Sequence, residues 1–316
     1  MRRLKTESST QDQNTSYIDP WFWTGLIDAE GSFTILIIKD IKRSLGWRVE
    51  LKFQLAMHES DLVILNQLMK YLGVGKIYKG KNNIMNFVVT SIKDLLVLVA
   101  HLNKYPLQSQ KHVDYLLFKA AIDIILIKEH LIYDGLLKIV NLKASLNNGL
   151  SETLKNRFPN YIPTLKPIVS PYSTLDLSWI LGFINGDGSF DIHVVKNPKS
   201  STGYRVQLRL RITQHNRDRA LIQSIINTLN CGTLTYYTNN QEAVVYTVTS
   251  IKDIGNKVIP FIDNGCLLGG KQKDYIYWKT AYNLMSQGKH LSKDGMDEII
   301  TIKSKMMSSR YNKDLN

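Results

Sequence analysis

The segments Trp23-Thr-Gly-Leu-Ile-Asp-Ala-Glu-Gly-Ser-Phe33 and Ile180-Leu-Gly-Phe-Ile-Asn-Gly-Asp-Gly-Ser-Phe190 follow one pattern. Each reads as an apolar helix with small residues on one face, closed by an acid and then Gly, Ser and Phe. Gly25 and Ala29 are four apart, as are Gly182 and Gly186, and residues at that spacing share a helix face. Small side chains there let two helix backbones approach closely, so the two helices are expected to pack on each other as the seam between two domains. Glu30 and Asp187 would then meet at adjoining helix C-termini.

The repetition extends well beyond these segments. Aligning Glu30 with Asp187 also aligns Phe53-Gln54-Leu55 with Leu210-Arg211-Ile212, and His58-Glu-Ser-Asp61 with His215-Asn-Arg-Asp218. Thr90-Ser-Ile-Lys-Asp94 recurs as Thr249-Ser-Ile-Lys-Asp253, and Lys111-His-Val-Asp-Tyr115 as Lys271-Gln-Lys-Asp-Tyr275. The register slips by a few residues, which insertions in surface loops explain. Two copies of a whole domain suit a target with two related halves, such as the strands of a DNA duplex.

A chain of 316 residues accommodates two domains of about 150 residues, each large enough for its own core. With 40 Lys and Arg against 27 Asp and Glu, net +13, it attracts polyanions, nucleic acid first among them. Cys231 and Cys266 form no CxxC pair, which argues against a zinc site or a disulfide framework. Charges interrupt the apolar stretch from Tyr115 to Val140, short of the roughly 20 apolar residues of a membrane span. Residues 1–17 read as a flexible arm without the apolar segment of a signal peptide.

Each half predicts helix, hairpin, helix, hairpin and helix. Asp19 before Pro20, and Asp176 at the matching place, read as N-caps of the two motif helices. Behind each Gly-Ser-Phe the period changes to two: Val49, Leu51, Phe53 and Leu55 alternate with Arg48, Glu50, Lys52 and Gln54, and Val206, Leu208, Leu210 and Ile212 with Arg205, Gln207, Arg209, Arg211 and Thr213. Helices are expected at Ser60–Tyr71 and Arg217–Asn230, and second hairpins at Gly75–Thr90 and Gly232–Thr249. The fold class is therefore α+β: two pseudo-symmetric αββαββα domains, each with a four-stranded antiparallel sheet. Asn147-Asn-Gly149 and four prolines between 145 and 173 mark an irregular connector. The expected boundaries are 1–150 for the N-terminal domain, 151–173 for the linker and 174–316 for the C-terminal domain.

A carboxylate at a helix C-terminus faces the negative end of the dipole, and two adjacent carboxylates repel. A hard divalent cation offsets both terms, and Mg²⁺ prefers one or two carboxylates with phosphate and water oxygens completing its shell. Paired metals across a scissile phosphate can activate water and stabilise the leaving oxygen.

Gly25-Leu-Ile-Asp-Ala-Glu-Gly31 and Gly182-Phe-Ile-Asn-Gly-Asp-Gly188 resemble the signature of the LAGLIDADG homing endonucleases, in particular the single-chain, two-repeat type of fungal mitochondrial introns. The resemblance spans Asp19 to Tyr282. It implies two sheets forming a saddle over double-stranded DNA, a monomer with internal pseudo-two-fold symmetry, and Mg²⁺-dependent cleavage of both strands of a long asymmetric site, leaving short 3′ overhangs. Mn²⁺ is expected to substitute for Mg²⁺, and Ca²⁺ to support binding without cleavage. Carried over by position, Glu30 and Asp187 match the metal-binding acids, and the carbonyls of Ala29 and Gly186 match further metal contacts. Gln54 and Arg211 match the position of a polar residue that orders water, although arginine there cannot accept a proton. Lys111 and Lys271 match the basic residues near the scissile phosphates. Asn185 stands where the first motif has Asp28, at a packing or capping position. A mitochondrial location is implied by the resemblance alone.

The expected DNA face of the first sheet carries Ser32, Thr34, Leu36, Ile38 and Asp40 together with Arg48, Glu50 and Lys52. That of the second carries Ser189, Asp191, His193, Val195 and Asn197 with Arg205, Gln207, Arg209 and Thr213. Leu36 and Ile38 suit thymine methyl groups, unless that strand faces the other way. Gly265-Cys-Leu-Leu-Gly-Gly270-Lys271 lacks the Ser or Thr of a P-loop. His58 and His215 precede helix starts, which favours structural or phosphate-contacting roles. Two alternatives to an endonuclease stay open: an intron-RNA maturase, and a non-cleaving DNA-binding protein on the same fold.

Overall fold

The computed structural model describes residues 18–237 and 240–311; the expected arm at 1–17 lies outside them. The first half runs α1 (Pro20–Glu30), β1 (Gly31–Lys39), β2 (Trp47–His58), α2 (Leu62–Leu72), β3 (Lys76–Lys79), β4 (Ile84–Val89), α3 (Ile92–Lys104), α4 (Lys111–Leu126) and α5 (Tyr133–Ser145). A short helix, α6 (Glu152–Arg157), stands in the connecting segment. The second half runs α7 (Leu177–Asp187), β5 (Gly188–Lys196), β6 (Tyr204–His215), α8 (Arg219–Leu229), β7 (Thr233–Tyr237), β8 (Asn240–Val248) and α9 (Ile251–Asp253). It continues through a π-helical turn at Ile254–Val258 into α10 (Ile259–Asp263), α11 (Gly269–Ser286) and α12 (Lys293–Tyr311).

The sheets are antiparallel with orders β1-β2-β4-β3 and β5-β6-β8-β7. The αββαββα pattern is present in each half, and each adds two helices behind the single closing helix that was expected, α4 and α5 in the first half and α11 and α12 in the second. The connector also departs from its expected irregularity, because Ser151 caps α6 by accepting from Leu154 N–H at 3.4 Å; serine there satisfies a first-turn donor.

Period-two alternation decides which face each sheet buries. Phe33, Ile35 and Ile37 of β1 and Leu51, Phe53 and Leu55 of β2 are buried, as are Phe190, Ile192, Leu208, Leu210 and Ile212 in the second half. Registers Ser32↔Gln54, Thr34↔Lys52, Leu36↔Glu50 and Ile38↔Arg48 place the intervening residues on the opposite face. Ser189↔Arg211, Asp191↔Arg209, His193↔Gln207 and Val195↔Arg205 repeat this arrangement. Leu36 and Ile38 therefore do lie on the face turned away from the core. Asp40 and Asn197 do not belong to the strands, which end at Lys39 and Lys196. Each instead turns its side chain back onto the loop, Asp40 accepting from Lys42 N–H at 3.1 Å and Asn197 from Lys199 N–H at 3.3 Å, a turn that short polar side chains favour.

Helices α1 and α7 pack against each other along the expected seam. A methyl added at Gly25 would lie 2.0 Å from the Trp179 carbonyl oxygen, and one at Gly182 would lie 1.9 Å from that of Phe22. Backbone meets backbone at both glycines.

Candidate active site

Glu30 and Asp187 are the last residues of α1 and α7, so the seam that joins the halves also sets these acids side by side. A methyl at Gly186 would approach Glu30 Cγ to 3.1 Å and Ala29 Cβ to 2.4 Å. The hydrogen that glycine carries there is what allows the second motif to lie so close to the first acid. Burial, and then the neighbouring Asp187 carboxylate, raise the Glu30 pKa, against the pull of Lys111 and Lys271. Burial also raises that of Asp187, opposed by a hydrogen bond from Gln214 and by both lysines.

The lysines enter from the first turns of α4 and α11. Lys111 Nζ donates to the carbonyls of Ala29 at 3.0 Å and Ile27 at 3.2 Å. Lys271 Nζ donates to the carbonyl of Gly186 at 3.5 Å and to that of Gly188. Each ammonium thus sits at the negative end of a motif helix, where a cation is favoured. Burial lowers the Lys111 pKa, and Asp28, Asp187 and Glu30 hold it up.

The inner polar residue of each motif helix anchors the loop leading to its lysine. Asp28 accepts from Gln108 N–H at 2.7 Å, from Ser109 Oγ–H at 2.6 Å and, across the seam, from Trp179 Nε1–H at 3.0 Å. Its burial pushes the pKa up to about 6, against these hydrogen bonds. Asn185 accepts from Leu268 N–H at 2.7 Å in the equivalent place, which gives the Asp-to-Asn exchange a capping function that needs no charge.

A family model described as LAGLIDADG endonuclease matches residues 23–122 and 180–282, one segment in each half. The chain belongs to this family. It is similar to a protein of Neurospora crassa named "Probable intron-encoded endonuclease 3", with 41% identity over 94% of this chain, and it spans 56% of that relative's length. Among solved structures, it is similar to the I-SmaMI LAGLIDADG homing endonuclease bound to cleaved DNA, at 37% identity and TM-score 0.90, covering 93% of this chain and 98% of that one. A second I-SmaMI structure, bound to uncleaved DNA target in the presence of calcium ions, matches with TM-score 0.89 and 37% identity over 92% of this chain and 99% of that one.

Within this LAGLIDADG chain, the candidate site residues fall into two groups. Glu30, Asp187, Lys111, Lys271 and the carbonyls of Ala29 and Gly186 converge at the seam. Gln54 and Arg211 make other contacts: the Gln54 amide donates to Asn86 Oδ1 at 2.6 Å, and Arg211 Nη2 lies 3.9 Å from Asp191 Oδ2. The side chain bonded to Asp187 is Gln214, whose Nε2 donates to Oδ2 at 2.6 Å. Gln214 has the parity of the buried face of β6, where the first half has Met57; that polar residue in an apolar series is the signal by which sequence could have found it. His58 and His215 cap short 3₁₀ turns through Nδ1, accepting from Ser60 N–H at 3.2 Å and Arg217 N–H at 3.1 Å.

The outer stripe of the second LAGLIDADG sheet is less uniformly cationic than its strand suggests. Arg209 Nε donates to Asp191 Oδ2 at 2.8 Å, and its Nη2 bonds the same oxygen and lies 3.0 Å from His193 Nδ1. In the first sheet Arg48 and Glu50 form an ion pair at 3.0 Å. Antiparallel pairing sets Asp191 directly opposite Arg209, and opposite charges at such a pair attract.

Proposed function

We propose that this chain is a site-specific homing endonuclease that hydrolyses both strands of a long asymmetric DNA duplex, leaving short 3′ overhangs. The observation that carries the reading is the meeting of Glu30 and Asp187 at two helix ends, flanked by Lys111 and Lys271. Likeness to DNA-bound endonucleases supports the substrate class. The name of a Neurospora crassa relative supports an intron-encoded protein, and a mitochondrial location follows from the resemblance of the motifs.

The donor set fits a hard cation that shares its shell with the substrate. Two carboxylates and the carbonyls of Ala29 and Gly186 offer oxygen alone. Among the described residues no three His, Cys, Asp or Glu side chains gather around one point, so phosphate and water would complete the shell, as Mg²⁺ favours. Mg²⁺ or Mn²⁺ held there would supply Lewis-acid activation of water and charge neutralisation at phosphate, with Ca²⁺ supporting binding. Gln214 fixes one oxygen of Asp187, and the two lysines hold positive charge where phosphates would approach. Gln54, Arg211 and the outward residues of both sheets, from Ser32 to Lys52 and from Ser189 to Thr213, form the surface assigned to DNA, with residues 1–150 and 174–316 serving as the two halves.

Cleavage of a randomised duplex library, followed by sequencing of the ends, tests this function. One long asymmetric site is expected, cut by a monomer. Net charge of +13 promotes binding to any nucleic acid at low salt through counterion release, so duplex DNA and structured intron RNA should be compared near physiological salt. Tighter binding to RNA with no cut at any library site would favour the maturase reading.

Arg209 offers a test of the reading surface. Arg209→Ala should relax base preference at one or two adjacent positions, costing about 1–3 kcal/mol if the arginine grips guanine with two hydrogen bonds. Asp191→Asn should release the same guanidinium and raise affinity for unrelated sequences. Binding measured on a panel of single-base variants decides between base and phosphate contact: uniform weakening by Arg209→Ala assigns it to phosphate.

A further inference from the structure

The repeated His-x-x-Asp segments end in two acids that reach out of their own half. Asp61 Oδ1 accepts from Gly270 N–H at 2.7 Å, the two standing 209 positions apart in sequence, and Asp218 Oδ1 accepts from Gln110 N–H at 2.7 Å. Gly270 and Gln110 immediately precede Lys271 and Lys111. Each lysine helix therefore has its first turn held by an acid of the opposite half.

Three features argue that these contacts are built in. The N-cap residues of α4 and α11, Gln110 and Leu268, make no side-chain hydrogen bond to their helices, although donors at a helix start need partners; in α4 Ser109 Oγ accepts from Lys111 N–H at 3.1 Å, and the Gln110 N–H goes to Asp218. The foreign carboxylates supply acceptors at the positive end of each helix dipole, where an anion is favoured. Gly269 adopts a left-handed φ of +59°, and a methyl there would lie 2.3 Å from Asp61 Oδ1; any other residue would displace the acid. The capping histidines, His58 and His215, fix the turns from which both acids project.

Each lysine depends on its helix start for the direction in which Nζ leaves. Asp28 and Asn185 hold residues 108 and 268 from within the same half, whereas Asp218 and Asp61 hold residues 110 and 270 from across the seam. We propose that Asp61 and Asp218 are positioning residues exchanged between the halves, each setting the active-site lysine of the other and so tying the cleavage competence of one half to the docking of its partner. This inference rests on the endonuclease reading and adds to it two residues outside the proposed metal ligands and the outward faces of the sheets, of which Asp218 also acts on Asp187 through its charge.

Strand-resolved cleavage of an end-labelled duplex tests it, with the site chosen by the library selection and Lys111→Ala and Lys271→Ala as references. Asp61→Ala should slow the strand that Lys271→Ala slows, and Asp218→Ala the strand that Lys111→Ala slows, each on the order of ten- to a hundredfold, the scale of a small misplacement of a reacting group. Asp61→Asn and Asp218→Asn, which keep an acceptor oxygen, should cut within about threefold of wild type, since the bond and not the charge carries the effect. Asp61→Glu, with its carboxylate displaced by one methylene, serves as a folded comparator and should slow the same strand as Asp61→Ala. The double variant Asp61→Ala/Lys271→Ala should be no slower than Lys271→Ala, because the acid acts through the lysine. Equal slowing of both strands, additive losses in the double variant, or an asparagine variant as slow as the alanine one would overturn the positioning role. A wild-type chain that cuts neither strand at any library site would instead overturn the endonuclease reading and this role with it.

Discussion

Glu30→Gln and Asp187→Asn should each reduce double-strand cleavage in Mg²⁺ by at least about 10²- to 10³-fold, the scale set by removing one group that stabilises transition-state charge, while cognate binding in Ca²⁺ persists. The acids lie at the seam and not on the outward faces of the sheets, so the DNA surface remains when either charge is removed. One acid serves each helix end, so a single variant can retain slow nicking of one strand. Cleavage assays resolved by strand, run beside binding titrations in Ca²⁺, check both parts. Undiminished Mg²⁺-dependent cleavage by either variant would remove these residues from the metal site. Because burial raises both carboxyl pKa values, with the Asp187 charge adding to Glu30 and the Asp218 charge to Asp187, and a bound cation requires the ionised form, metal affinity should begin to fall with decreasing pH above the range of an exposed carboxylate.

Gly25→Ala and Gly182→Ala should destabilise the chain by about 3 kcal/mol each, the upper part of the range for overpacking. The intruding methyl meets a backbone carbonyl at 2.0 or 1.9 Å, and no side-chain rotation relieves it. The helices must separate, carrying Glu30 away from Asp187 and the starts of α4 and α11 away from the acids of the opposite half, Asp218 and Asp61, that hold them. For domains of this size the melting temperature should fall by roughly 10 °C, and cleavage should fall more steeply than stability. Calorimetry and assays below the transition measure the two effects separately. Wild-type melting by either variant would show that the helices do not touch at that glycine.

Much of this architecture was legible in residue order because its determinants are periodic or local. Alternation of Val49, Leu51, Phe53 and Leu55 with polar neighbours named the buried face of β2, and Asp19-Pro20 named the start of α1. The small-residue spacing at Gly25 and Ala29 announced a close helix pair, and the repeat of that spacing identified its partner. Asp40 and Asn197 were misplaced because alternation by itself does not report where a short polar side chain turns back onto its own loop. The two further helices of each half have a similar cause for going unanticipated, since apolar runs interrupted by charges do not mark the turns at 127–132 and 287–292.

What residue order alone determined, then, was the duplicated α+β plan, the pair of acids at two helix ends and the lysines that recur with them, all properties of spacing within one segment. Tertiary structure alone decided what those groups face: Gln214 on Asp187, Asp191 on Arg209, and Asp61 and Asp218 at helix starts in the opposite half. The physical reason is that a hydrogen bond depends on a separation of about 3 Å and an angle, and between segments far apart in sequence both are set by how the sheets and the α1–α7 seam pack.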